Sequence, residues 1–415
     1  MSEIRRVYAR EILDARGFPT VEAAVETVSG IRCAASVPSL LPSDIRAKYE
    51  SRDGDPGRYE GQGVFKACRS VEDLISPALK GVDVSDQRTV DNIMLALDGT
   101  PQKEILGTNA VLAVSYAAAR TAAKAAGLPL FRYLGGVRAD KLPVPVFFVI
   151  DGGVLADAPL TFRGIGIHSA GFDTFSESLA AGAAVWRALS ALVREKSIVC
   201  TAGITGGLAP HLDSVEKYFE LLAAAVERAG FTAGDEILFS LDCAAGDFLR
   251  DSVYDYGVYR PGGLRLSRAE QMDYIVSLAG RFPIDQVTDP LGEDDFDDFA
   301  VLRTRLCGRC RIAAGNLFAG ERGRICRGIS AGAVDSVILN PAECGTVSEF
   351  LEAAETAQDA GLAVTVACRE AECCDDFPAD LAVAVNAAEI KCGPVGRGEH
   401  NAKYNRLLEL ENPHW

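Results

Sequence analysis

Residues 336–367 read SVILNPAECGTVSEFLEAAETAQDAGLAVTVA. A short apolar run over 336–339, a helical stretch over 346–360 and a second apolar run over 362–367 make one strand–helix–strand unit. The same unit recurs on both sides. Upstream lie strands over 236–241, 284–287 and 311–314, with helices over 269–282, 296–306 and 322–331. Downstream follow a helix over 378–388, a short strand over 389–391 and a helix over 400–410. Alternation sustained over roughly 200 residues predicts an α/β architecture, either a closed barrel or a doubly wound sheet. No GxGxxG follows a first strand and there is no P-loop, which favours the barrel.

In a barrel the strand ends share one mouth, and the chemistry of barrel enzymes sits there. Those positions are Asp242, Thr288-Asp289, Gly315-Asn316, Asn340, Cys368-Arg369 and Lys391. Two carboxylates, an arginine and a lysine converging on one mouth point to a pocket for an anion: a sugar, an acid or a phosphate. A bland barrel mouth is the alternative.

The first ~135 residues have another rhythm. Alternation over 21–28 and 31–37 around Ser29-Gly30 predicts a β-hairpin. An Ala-rich helix is expected over 109–125, with Thr108 as N-cap and Gly127 as its stop. The expected organisation is a small α+β domain over 1–135 and a barrel over 136–415.

The composition sets the outer bounds. Of 415 residues, 48% are hydrophobic and 24% charged, enough for a large core. The balance is 42 − 58 = −16, which argues against nucleic acid or a bilayer surface as partner, because both are polyanionic. No run is long enough to span a bilayer, and the densest one, 142–150, contains two prolines. The opening MSEIRRVYAREIL carries no secretory apolar core, so the cytoplasm is expected. There the twelve cysteines are expected as thiols. Cys307 and Cys310 form one CxxC with no second pair to complete a zinc site. Cys368, Cys373, Cys374 and Cys392 cluster more tightly, and a thiolate metal site is weighed there against scattered buried thiols.

Specific, collinear stretches then carry a resemblance over nearly the whole chain. They are REILDARGFPTVEA (10–23), ESRDGDPGRYEGQGVFKA (50–67), GTNAVLAVSYAAA (107–119), LPLFRYLGG (128–136), LDCAAGDF (241–248), FPIDQVTDPLGEDDF (282–296) and EIKCGPVGRGEHNAKYNRLLELE (389–411). The sequence resembles enolase. The resemblance implies an N-terminal α+β domain, an eight-stranded α/β barrel and a homodimer. It also implies dehydration of 2-phosphoglycerate, with a lysine as base, a glutamate as acid, Mg²⁺ on the substrate carboxylate, and arginine and serine on the phosphate.

Matched residue by residue, most of those positions are replaced. The loop that reads SGAS in enolases is Ser39-Leu40-Leu41-Pro42 here, and the family's NGGxHA is 151–156, with Leu155 for its histidine. The glutamate of QEF is Gly164, after Arg163, and the general acid of GDEGG is Thr205. Of the metal carboxylates only Asp242 persists, the others matching Thr288 and Asn316. The proton-abstracting lysine matches Asn340. SHRSGE becomes 367–372, which keeps Arg369 but substitutes Cys368 and Glu370, and the last catalytic lysine persists as Lys391.

One carboxylate with a threonine and an asparagine is a poor Mg²⁺ site, so Mg²⁺ binding is expected weakened or lost and no cofactor is expected. Neither Asn340 nor Thr205 titrates near neutrality. Two readings follow. One is a pseudoenzyme, a scaffold for a protein partner or a metabolite sensor. The other is a repurposed enzyme acting on a small anionic substrate, with Arg163, Arg369 and Lys391 as cations, Asp289, Glu343 and Glu370 as carboxylates and Cys368 as nucleophile. A weak residual enolase would rest on Asp242, Arg369 and Lys391 alone. A mouth plugged by Leu40, Leu41 and Pro42 would favour the first reading. Lys391 paired with Asp242 or Asp289, and Arg163 neutralising the pocket, are the bland readings of those two cations.

Overall fold

The computed structural model describes residues 2–40, 49–169, 171–258 and 263–412. Three antiparallel strands open the chain, β1 (Ile4–Leu13), β2 (Pro19–Thr27) and β3 (Arg32–Ser36), with β2 central. The expected hairpin is β2–β3, and Gly30 takes the positive φ of +85° that its turn needs. Strand β1 pairs along all of β2. Its arginine-rich outer face hides its alternation in the sequence.

Two longer helices follow, α1 (Gln87–Asp98) and α2 (Thr108–Ala126), and α1 packs on α2. Of the 19 residues of α2, 15 are buried, which is why it is built from alanine. It lies against β2 and β3, while its Tyr116 ring stacks on Phe377 of the barrel with centroids 3.7 Å apart. Thr108 is not its N-cap. Gly107 takes that place at φ +89°, where a Cβ would strike Ser51 and Asn109, and the buried Thr108 Oγ1 finds no partner among the described residues.

The barrel follows the alternation read from the sequence. Its elements are β4 (Val144–Asp151), β5 (Gly164–Ser169), α3 (Phe175–Glu195), α4 (Val215–Arg228), β6 (Ile237–Asp242), α5 (Arg268–Arg281), β7 (Ile284–Thr288) and α6 (Phe296–Leu306). Then come β8 (Arg311–Ala314), α7 (Arg322–Ala331), β9 (Ser336–Leu339), α8 (Val347–Asp359), β10 (Ala363–Ala367), α9 (Phe377–Ala384), β11 (Glu389–Lys391) and α10 (Gly398–Glu411). Strands β4 to β11 pair in order, and β11 returns to β4 with Glu389 opposite Val144, closing the cylinder. All neighbours are parallel except β5, which runs against both β4 and β6. No helix among the described residues is long and apolar enough to cross a membrane.

Buried polar groups tie the two parts together. Asp91 of α1 accepts from the backbone N–H (3.0 Å) and hydroxyl (2.6 Å) of Ser348 on α8. Lys103, buried, pairs with Glu349 at 3.0 Å, and Arg120 of α2 pairs with Asp375 at 2.8 Å. Removing one partner of such a pair strands a buried charge or donor, so these contacts fix the docking angle.

The end of the barrel away from the mouth is closed by charge. His168 Nδ1 lies 2.9 Å from Asp285, and Arg311 bridges Asp285 (2.7 Å) and Glu389 (2.9 Å). Thr365 donates to Glu389 at 2.9 Å, and His168 Nε2 stands 3.5 Å from Glu389, a charge contact without a hydrogen bond. Burial works against a charged His168 and Arg311 repels it, yet Asp285 and Glu389 outweigh both and raise its pKa. Burial would raise Asp285, but His168 and Arg311 prevail and lower it.

A raised histidine stabilises the fold below its unfolded pKa of about 6.5 and ceases to do so as pH climbs through the folded value. A lowered aspartate contributes above its unfolded value of about 3.9 and is lost as pH falls through the folded one. The cluster is therefore strongest between those limits. Urea unfolding of His168→Gln against the parent should show a loss of about 1–3 kcal/mol near pH 5.5, shrinking above pH 7. A difference independent of pH would refute the charged histidine.

Candidate functional site

At the C-terminal ends of the strands lies a cavity of about 690 Å³, counting the open space at its mouth. The period of two along each strand decides who faces it. Asp151 ends β4, Asp242 ends β6, Thr288 ends β7 and Lys391 ends β11, while Gly315, Asn340 and Cys368 are the first residues beyond β8, β9 and β10.

Three cations reach this space, and each meets a carboxylate of the same chain. Lys391 Nζ donates to Asp242 Oδ2 at 2.5 Å and sits 4.8 Å above the Phe148 ring. Arg163 Nη2 donates to Glu370 Oε1 at 3.0 Å. Arg369 Nη1 donates to Glu343 Oε1 at 2.7 Å, and its Nε stands 3.9 Å from Glu370. The fourth carboxylate, Asp289, accepts from the backbone N–H groups of Gly315, Asn316 and Leu317 at 3.1–3.4 Å. It does so from a left-handed backbone, φ +43°.

Crowding sets the protonation of these groups. Burial, with Asp242 nearby, pushes Asp289 up to about 7. Burial, Asp289 and Glu370 push Glu343 up to about 8, against the pull of Arg163. Burial would also raise Glu370, but Arg163, Arg369 and Lys391 hold it at about 2. Arg163 is raised because Glu370, Asp242, Asp247 and Asp289 outweigh the cost of burying it. Near neutrality, then, Glu370 is ionised between its arginines, while Asp289 and Glu343 are poised to carry protons.

Other residues at the mouth are committed locally. Asn340 Oδ1 accepts from Ala342 N at 2.9 Å and caps the helical turn Pro341–Cys344. Thr205 donates its hydroxyl (2.5 Å) and backbone N–H (3.1 Å) to Asp151. Burial raises Asp151 to about 7. Gly203 and Gly207 flank that carboxylate so closely that any Cβ would overlap it. At Gly164 a Cβ would overlap Ile150 O and the Phe148 ring. Among the buried atoms of the lining groups, Arg163 Nε, Asp242 Oδ1, Thr288 Oγ1 and Glu370 Oε2 have no hydrogen-bond partner among the described residues.

The structure brings Lys391, Arg369, Arg163, Asp289, Asn340, Cys368 and Asp242 to one cavity, together with Glu343 and Glu370. It does not gather the four cysteines. Cys373 turns to Ser36 of the small domain (3.3 Å) and Cys374 is exposed, because the segment before α9 packs on β3. Cys368 and Cys392 alone meet, with Sγ atoms 2.8 Å apart. Among the described residues no group of three or more His, Cys, Asp or Glu is placed to hold a metal ion. Cys307, exposed, and Cys310, buried, lie at the far end of α6 from this cavity. Leu40 is buried, with its N–H on Glu50 at 3.1 Å. Leu41 and Pro42 lie outside the described residues.

Sequence reasoning missed Asp151, Phe148 and His400. His400 lines the cavity with Nδ1 3.1 Å from Pro394 O, and burial lowers its pKa to about 4, so it is neutral at pH 7. The signal for it was available: it is one of four histidines and stands at the start of the last helix.

Comparison with protein-family models agrees with the architecture. Residues 4–134 match the model described as the enolase N-terminal domain, and residues 139–413 match the enolase C-terminal TIM barrel domain.

The Arg163–Glu370 pair yields a direct test. Glu370→Gln leaves a buried guanidinium without its counter-charge and should cost about 3 kcal/mol in denaturant unfolding at pH 7. Inorganic phosphate should restore part of that loss in the variant and leave the parent unchanged. Equal stabilisation of both proteins by phosphate would show that Glu370 does not occupy the arginines.

Proposed function

The chain belongs to the enolase family, and from that premise we propose that it has lost 2-phosphoglycerate dehydration and serves as a pseudoenzyme, a binding or scaffolding protein that works as a homodimer. One observation carries the reading. The groups at the positions that the resemblance matches to base, acid and metal ligands are engaged in holding the barrel mouth together. Asn340, at the base position, caps its own helical turn. Thr205, at the acid position, is bonded to Asp151. Neither side chain exchanges a proton near neutrality. Lys391 Nζ is engaged as a donor to Asp242.

The Mg²⁺ ion that the family implies does not fit these donors. A magnesium site needs several hard oxygens in octahedral array. Asp242 Oδ2 already holds an ammonium, and Asp289 turns its oxygens to three backbone N–H groups. What remains at the matched positions is Asp242 Oδ1, Thr288 Oγ1 and the side-chain oxygen of Asn316, a single carboxylate oxygen with two neutral donors and beside a fixed positive charge.

The second reading, a repurposed enzyme, has its own support. Arg163 Nε, Asp242 Oδ1 and Thr288 Oγ1 are buried polar atoms that a small ligand would satisfy. An anionic ligand would enter by displacing Glu370 or Glu343 from an arginine. The proposal on turnover stands under either reading.

Coupled turnover of 2-phosphoglycerate with excess Mg²⁺, beside calorimetry of Mg²⁺ and phosphoenolpyruvate, tests it. No turnover and no Mg²⁺ heat are expected at pH 7–8. Turnover at about a thousandth of an ordinary enolase rate would sink the proposal.

A further inference from the structure

The reactive groups of the cavity left unassigned are the thiols of Cys368 and Cys392. Strands β10 and β11 are parallel, with Ala367 opposite Lys391, so the next residue on each is a cysteine. The Cys368 N–H donates to Lys391 O at 2.9 Å, which holds the two strand ends in register. The sulfurs stand 2.8 Å apart, inside the contact distance of two non-bonded sulfur atoms. Paired strands keep their backbones about 4.8 Å apart, a spacing that a disulfide spans without backbone movement. Both cysteines line the cavity; Cys368 is partly exposed and Cys392 lies buried behind it.

Burial and each other's proximity raise the Cys368 thiol well above its ordinary range. It is therefore a slow nucleophile on its own. Position compensates: once one sulfur is activated, its partner is already in contact with it.

We infer that Cys368 and Cys392 form a reversible disulfide across the paired strand ends, made by exchange with a low-molecular-weight disulfide such as glutathione disulfide. The Cys368 thiolate attacks one sulfur of the reagent, forming a mixed disulfide and expelling one glutathione thiolate, which takes up a proton. Cys392 then gives up its own proton and displaces the second glutathione. Two protein thiols become one disulfide, and glutathione disulfide becomes two glutathiones. The bond would tie the residue before Arg369 to the residue after Lys391 and so fix two of the three cations at the mouth. It does not depend on whether the cavity turns over a substrate.

The test equilibrates the full-length protein in buffers of graded glutathione to glutathione disulfide ratio, traps free thiols by alkylation, and maps the peptides by mass spectrometry. A Cys368–Cys392 linked pair, lighter by two hydrogens and reversed by dithiothreitol, should form at a more reducing ratio than any other pairing. Cys368→Ser and Cys392→Ser should each abolish it, and Cys374→Ser should leave it intact. If a variant does not fold, the parent's map alone decides. Earlier oxidation of Cys307–Cys310 or Cys373–Cys374, a persistent mixed disulfide at Cys368, or free thiols at the most oxidising ratio would each overturn the inference.

Discussion

The three residues of β11 are the constraint on which the architecture turns. Glu389, Ile390 and Lys391 pair with β10 on one side and β4 on the other, and without them the cylinder is an open sheet with two bare edges. Alternation then assigns each a task. Ile390 is fully buried, Glu389 enters the ionic cluster with Arg311 and His168, and Lys391 reaches the cavity. One turnless segment therefore links the charge network at one end of the barrel to that at the other. A one-residue slip would bury the wrong set and break both.

At the mouth, electrostatic satisfaction is internal. Each cation is met by a carboxyl group of the same chain: Lys391 by Asp242, Arg163 by Glu370, and Arg369 by Glu343, with the ionised Glu370 beside it. Desolvated charges are tolerated only when so matched, and each pair removes a group from the pool able to greet a ligand. The cavity keeps its volume and polarity while its strongest groups hold one another.

Much of the fold was legible in the residues. The strands of the later barrel fall within about a residue of the positions read from apolar runs, because strands buried on both faces leave short uninterrupted signals. Strand β5 escaped. Gly164-Ile165-Gly166-Ile167 reads as a loop, since the glycines needed for close strand contact also mark turns. Helix α3 was missed despite its Thr174/Glu177 capping box, which the sequence displays openly. The site was half legible. Strand ends announced Asp242 and Lys391, but spacing along the chain says nothing of which cation meets which carboxylate. Residues such as Asp151 and Phe148 act through neighbours that only folding supplies.

The crowding at Gly164 limits which substitutions this mouth accepts. Phe148 fills the space that a side chain at 164 would need, and its ring also lies under Lys391. Gly203 and Gly207 are likewise walled in by Asp151. A carboxylate placed at 164 would be rejected until both Phe148 and the Ile150 carbonyl had given way, and moving Phe148 disturbs Lys391. Changes at this mouth can thus be accepted only in certain orders.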